Sequence, residues 1–189
     1  MAKRVFFSFH YQDVIDFRAN VVRNHNVTKD DNGGFFDASI WESAKKQGDI
    51  ALKRLINGGL NNTSVTAVLI GSETYARRWV RYEIMKSIER GNSVIGIHIN
   101  SIRDRNSGTK ALGPNPFEHL GLQISADGTT GTPTVWSGSQ WVYYQDIDKF
   151  PIQQQPIDRR GKHLQLTTWL PTYDWVSNDG FNNFGKWVG

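Results

Sequence analysis

Trp79 and Glu83 stand four residues apart, at the head of a segment in which Val80, Ile84 and Ile88 recur at helical spacing. Four residues make about 400° of helical rotation, so the two side chains share a face, turned about 100° from that apolar stripe. A carboxylate placed this way need not enter the sheet packing. It can lie along the rim of a cleft, a fixed negative charge beside a small ligand. Spacing alone leaves a second reading open, a packing tryptophan followed by a solvated glutamate.

Other chemistries lack their residues. With no cysteine in the chain, disulfides, thiolate metal sites and a cysteine nucleophile are excluded. His10, His25, His98, His119 and His163 are scattered without metal-ligand spacing, so no metal site is expected. There is no G-x-G-x-x-G after the first strand and no G-x-x-x-x-G-K-[ST], which argues against a standard dinucleotide fold and a P-loop. No G-x-S-x-G supports a hydrolase elbow. A phospho-accepting receiver would carry an acidic pair after its first strand and an Asp ending its third. Here those places read Ser8-Phe9-His10 and Ile70-Gly71-Ser72. The net charge of +4 comes from 22 basic and 18 acidic residues, mostly dispersed. A nucleic-acid binder would show a stronger stripe, and a small anion fits as well.

The elements that must position Glu83 alternate over the first hundred residues. Arg4–Phe9 is a short apolar run, read as a buried parallel strand. Asp13–Val22 reads as a helix, Asp13 its N-cap and Val14, Phe17 and Val21 its apolar face. Gly33-Gly34 breaks the chain, and Phe35-Phe36-Asp37 is a candidate second strand. Asp49 caps a helix with Ala51, Leu52, Leu55 and Ile56 on one face, ended by Asn57-Gly58-Gly59. Ser64–Ile70 is a third strand, Arg78–Arg90 a helix stopped by Gly91, and Ser93–Ile99 a fourth strand. Thr172–Val176 reads as the last strand and Phe181–Val188 as a closing helix.

This order predicts an α/β fold, a five-stranded parallel sheet in the flavodoxin-like order 2-1-3-4-5 flanked by helices. Residues 101–171, rich in Gly, Pro and short aromatic stretches, form an elaborated insertion with short strands before the last strand, all within a single domain of 1–189. A cleft then opens between strands one and three at their carboxyl ends. Ser8, Phe9, His10 and Tyr11 line one side of it, with Ser72, Trp79 and Glu83 on the other. The N-terminal apolar stretch is too short for a signal peptide, and no apolar run reaches the roughly 20 residues that span a membrane. A cytoplasmic protein is expected, with no membrane or nucleic-acid partner.

Val5-Phe6-Phe7-Ser8-Phe9 resembles the first box of TIR domains. Val68-Leu69-Ile70-Gly71 followed by Trp79-Val80-x-x-Glu83-Ile84 resembles the third strand and catalytic helix of the NAD-cleaving members. The ending Tyr173-Asp174-Trp175-Val176, Gly180-Phe181 and Trp187 is similar to the bacterial TIR-like branch that includes the TIR subunit of the Thoeris anti-phage system. The resemblance covers about residues 3–100 and 172–188. It departs after strand two, where Asp37-Ala38-Ser39-Ile40-Trp41-Glu42 replaces the usual Arg-Asp-x-x-Pro-Gly loop, and at the insertion.

The resemblance implies that Glu83 is catalytic and that NAD+ is a substrate, with no separate cofactor. The bond between nicotinamide and ribose would break through an oxocarbenium-like transition state. A carboxylate beside the ribose hydroxyls stabilises that cation more than the ground state. Asp could not reach from the same helix position, and Gln would carry no charge. Phe9 or Trp41 could stack on a substrate ring, and Arg77, Arg78 and Arg81 could offer forked donors to the pyrophosphate. Capture of the cation within the substrate gives a cyclic ADP-ribose-type signal, a diffusible product that reaches an effector partner. Self-association is expected. The alternative from the same family is a non-catalytic self-associating adaptor, which has no need of the carboxylate.

Overall fold

A computed structural model describes residues 4–15, 17–25, 38–104 and 108–189. In chain order these form β1 (Val5–Ser8), α1 (Tyr11–Ile15), α2 (Arg18–Arg23), α3 (Ala38–Gln47), α4 (Asp49–Leu60), β2 (Val65–Ile70), α5 (Arg78–Glu89) and β3 (Ser93–His98). Then come β4 (Leu120–Ile124), β5 (Thr130–Trp136), β6 (Trp141–Tyr143), β7 (Phe150–Pro151), β8 (His163–Gln165), β9 (Thr172–Asp174) and α6 (Gly180–Trp187).

The first sheet is parallel throughout, in the order β1-β2-β3-β9. These are the expected strands one, three, four and five in their expected order. The candidate second strand at Phe35-Phe36-Asp37, with the Gly33-Gly34 break, lies outside the described residues. Every residue of β1 and β2 is buried because a layer covers each face. Phe6, Val68 and Ile70 point to one core with Ile56 and Leu60 of α4 and Val80 and Ile84 of α5. Val5, Phe7, Ala67, Leu69 and Ile97 point to the other, with Val22 of α2 and Phe184 of α6.

One local expectation is corrected. The single helix over Asp13–Val22 is two helices, α1 and α2, broken at Phe17, whose φ of 61° is left-handed. A bulky side chain seldom takes that conformation. The break rotates the buried face of α2 to Arg18, Ala19 and Val22, leaving Phe17 and Val21 exposed. The residues standing in place of the usual loop after strand two belong in part to α3, from Ala38 onward.

The insertion forms a second, antiparallel sheet in the order β6-β5-β4-β8, with β7 also paired to β5. Leu120, Leu122 and Ile124 of β4 face inward and join the core that holds α5. The Phe117 ring lies so close to Gly96 of β3 that an added Cβ there would meet it at 3.0 Å. The two sheets therefore share one apolar core.

Candidate active site

Helix α5 is buried around most of its circumference, including Val80, Tyr82, Glu83, Ile84, Met85 and Ser87. The parallel sheet lies on one side of it. On another, the Tyr82 hydroxyl donates to Asn57 Oδ1 of α4 at 3.3 Å, and Lys53 sits 5.3 Å from the Tyr82 ring centre. The insertion supplies a third contact, where Arg78 forks onto both oxygens of Asp146 at 3.0 and 2.8 Å and reaches Asp49 at 2.7 Å. Lys53 also pairs with Asp146, at 3.0 Å. The first turn of α5 is thus tied to α4 and to the insertion.

This covering changes the setting of Glu83. The expected open rim is instead an interior position, with only 6% of the residue exposed. The Ser8 hydroxyl at the end of β1 donates to Glu83 Oε2 at 2.5 Å. Ser87 Oγ donates to the Glu83 carbonyl at 2.6 Å and lies 2.7 Å from Thr66 Oγ1, so the polar groups on this flank satisfy one another. Burial pushes the Glu83 carboxyl up to about 8, and the bond from Ser8 acts against that rise. Near neutral pH the protonated form therefore predominates, with the ionised form a minor state within reach, as for a carboxyl used in chemistry.

The carboxyl edge of the sheet is built around Glu83 by residues whose role the sequence did not disclose. An added Cβ on Gly71 would fall 2.0 Å from Asp13 Oδ1, so only glycine lets that carboxylate lie against the end of β2. Thr74 Oγ1 accepts the Gly71 N–H at 2.9 Å and donates to Asp13 Oδ2 at 3.4 Å. The Asp13 N–H donates to the His10 carbonyl at 2.9 Å. Residues 10–13 are thereby fastened to the chain that leads into α5. Across from them, Asn100 Nδ2 donates to Ser72 Oγ at 3.1 Å and to the Ala111 carbonyl. Gly113 presses on Gly71, where a Cβ would meet its carbonyl oxygen at 2.1 Å. Asp13 reads equally well as an N-cap, and the two glycines as ordinary turns. Only their contacts distinguish these roles.

Among the residues expected to line the cleft, the structure joins Ser8 directly to Glu83. His10 is half-buried. Burial and the charge of Arg77 hold its imidazole below the usual range, and Glu73 opposes them. Tyr11 begins α1 and is 56% exposed. Ser72 is exposed at the end of β2, fastened by Asn100. Trp79 packs edge-on against Tyr82 at 6.0 Å, with the Arg78 guanidinium 4.8 Å from its ring centre. Trp41 is half-buried on α3, against the core that holds α5. Phe9 is corrected. Strand alternation turns Ser8 toward α5 and Phe9 to the opposite layer, where it packs on the second core with Arg23 5.4 Å from its ring centre.

Among the described residues, no group of three or more His, Asp or Glu could hold a metal ion. A shallow open depression between α3 and α4, lined by Ile40, Ala44, Ala51 and Leu55 among others, contains none of the cleft residues. We assign it no chemistry. No helix in the described residues is long and apolar enough to cross a membrane.

Comparison with known proteins gives two matches. Residues 6–104 match the family model "Thoeris protein ThsB, TIR-like domain". The whole chain is 61% identical, over 191 aligned residues and the full length of both proteins, to a Bacillus cereus (strain MSX-D12) protein named "Putative cyclic ADP-D-ribose synthase ThsB1". The matched segment begins inside β1, contains Ser8 and Glu83, and ends beyond β3.

Proposed function

Because the chain belongs to the Thoeris ThsB TIR-like family, we propose that it cleaves NAD+, releases nicotinamide and cyclises the remaining ADP-ribose into a signal for anti-phage defence. The observation that carries this reading is the Glu83 carboxyl, buried at the carboxyl edge of the parallel sheet and held by the Ser8 hydroxyl at 2.5 Å. An adaptor surface gains nothing from an interior acid, and burying one is unfavourable unless a partner compensates.

In the reaction, the bond from C1′ of the ribose to the nicotinamide nitrogen breaks, and its electron pair leaves with nicotinamide. Positive charge spreads over C1′ and the ring oxygen. Ionised Glu83 stabilises that charge most at the transition state, because it is already oriented and has little water to reorganise. Ser8 fixes the carboxylate rotamer and favours its ionised form. The incoming substrate carries a cationic nicotinamide, which draws Glu83 further toward ionisation. With water excluded, a nucleophile at the adenine end of the same molecule forms the new bond to C1′ and gives up a proton. NAD+ is the substrate and no other cofactor takes part. The protein works in the cytoplasm, self-associates, and acts on its effector through the diffusible product.

Purified, activated protein incubated with NAD+ and analysed by chromatography tests this. Glu83→Gln is expected to lower nicotinamide release by a factor on the order of 100 to 1,000, the usual loss when a preorganised electrostatic group is removed. Equal release from both proteins overturns the reading.

A further inference from the structure

The head of α5 carries three arginines, and the structure separates them. Arg78 is committed to Asp146 and Asp49 and lies against Trp79. Arg81 Nε donates to the Tyr75 carbonyl at 3.0 Å. Arg77 has only Glu73, at 3.5 Å from its Nη2, and both of those side chains are exposed by more than 40%. An ion pair so exposed contributes little and yields readily to a competing anion. The Arg77 Nε is buried and has no hydrogen-bond partner among the described residues. A buried guanidinium N–H left unmade is unfavourable and normally finds an acceptor.

Arg77 also stands in the right place. It immediately precedes α5, six residues before Glu83, about 9 Å away along the helix axis and about a third of a turn away around it. Arg77 N donates to the Thr74 carbonyl at 3.2 Å, and Thr74 touches Asp13, whose own N–H bonds His10. Arg77 is thereby linked through Thr74 and Asp13 to His10, two residues beyond the Ser8 that holds Glu83.

We propose that Arg77 is the pyrophosphate-binding residue of this cleft, exchanging Glu73 for a phosphate oxygen when a dinucleotide enters. The inference rests on the NAD+ reading above and assigns the substrate's charged centre to one side chain. A guanidinium fits this task because its fork offers parallel donors to two phosphate oxygens, which an ammonium cannot match. Arg77 acts on binding and position, whereas Glu83 acts on the bond that breaks.

Calorimetry with two probes tests the inference without depending on turnover. ADP-ribose carries the pyrophosphate, and nicotinamide riboside shares the sugar but lacks it. Arg77→Ala is expected to weaken ADP-ribose binding about tenfold or more, the size of one charge-assisted contact. Arg77→Lys should recover part of that loss, and nicotinamide riboside should bind all three proteins alike. In turnover, Arg77→Ala should raise KM for NAD+ with kcat little changed. Equal ADP-ribose affinity in wild type and Arg77→Ala, or an equal loss for both probes, overturns the proposal, as does a wild type that binds no ADP-ribose. The NAD+ reading fails separately, if Glu83→Gln releases nicotinamide as wild type does.

Discussion

The two sheets of this protein treat polar groups in opposite ways. In the parallel sheet and the helix against it, polar side chains are taken inside, with Ser8, Thr66 and Ser87 at 0% exposure and Glu83 at 6%. In the antiparallel sheet they are mostly turned outward. Along β5 the core-facing residues are Gly131, Pro133 and Val135; of the alternate positions Thr132 and Trp136 are half-buried, and Thr134 is the exception, buried with its Oγ1 2.8 Å from His163 Nε2. A sheet covered on both faces can enclose a reactive group and shift its protonation. A sheet whose outer face is mostly open supplies apolar area and few enclosed polar groups, here Thr134 against His163. The contrast sets a buried acid beside the first sheet and makes the second a support for α5.

The largest disruption should come where the two sheets meet. Phe117 is fully buried against Gly96, and Phe117→Ala should cost about 3–5 kcal/mol by leaving a cavity at the join. Denaturant unfolding measures it. A loss under 1 kcal/mol would mean that the insertion is not part of the common core.

A smaller, pH-dependent effect should mark the polar interior. The Glu83 carboxyl rises from 4.5 to about 8 on folding, so the unfolded chain releases this proton first. Wild type should then lose stability relative to Glu83→Gln as pH rises from about 4.5 to about 8, by an amount on the order of a few kcal/mol. Melting curves of both proteins at pH 5 and pH 8.5 would show the gap opening. A gap that does not vary with pH would place the ionised acid comfortably in the fold.

Ser8→Ala sharpens the same point through kinetics. Loss of the bond at 2.5 Å removes the influence that lowers the Glu83 carboxyl. The rise of kcat/KM with pH, which reports the free enzyme, should move to higher pH. An unmoved profile with a lower plateau would reduce Ser8 to a packing role.

The smallest change is expected at Asp146, whose carboxyl Arg78 and then Lys53 hold at about 2. This depression from 3.8 contributes stability above that value and loses it as pH falls toward 2. Arg78 is half-exposed, so Asp146→Ala should cost only about 1 kcal/mol, less at high salt. A salt-insensitive loss of several kcal/mol would instead make this network the main tie between the insertion and α5.

The parallel half was legible because strands buried on both faces read as unbroken apolar runs, as in Val65–Ile70, and because α5 has a clean stripe ended by Gly91. The insertion was less so. Short strands with one wet face, interrupted by glycine and proline, show no period long enough to fix a register. The break at Phe17 carried no glycine or proline to mark it, so the helix-spaced Phe17 and Val21 gave the wrong face.

From spacing and resemblance the chain alone determined the order of its parallel strands, the helix that carries Glu83, and Ser8 as a candidate neighbour. It could not determine that Glu83 is enclosed, that Phe9 packs on the second core, or that Asp13, Gly71 and Thr74 hold one another at the end of β2. Local periodicity records which residues share a face of one element. Burial, protonation and mutual reach depend on what other elements lay over that face, and here the covering includes α4 and a sheet that begins about thirty residues beyond the end of α5.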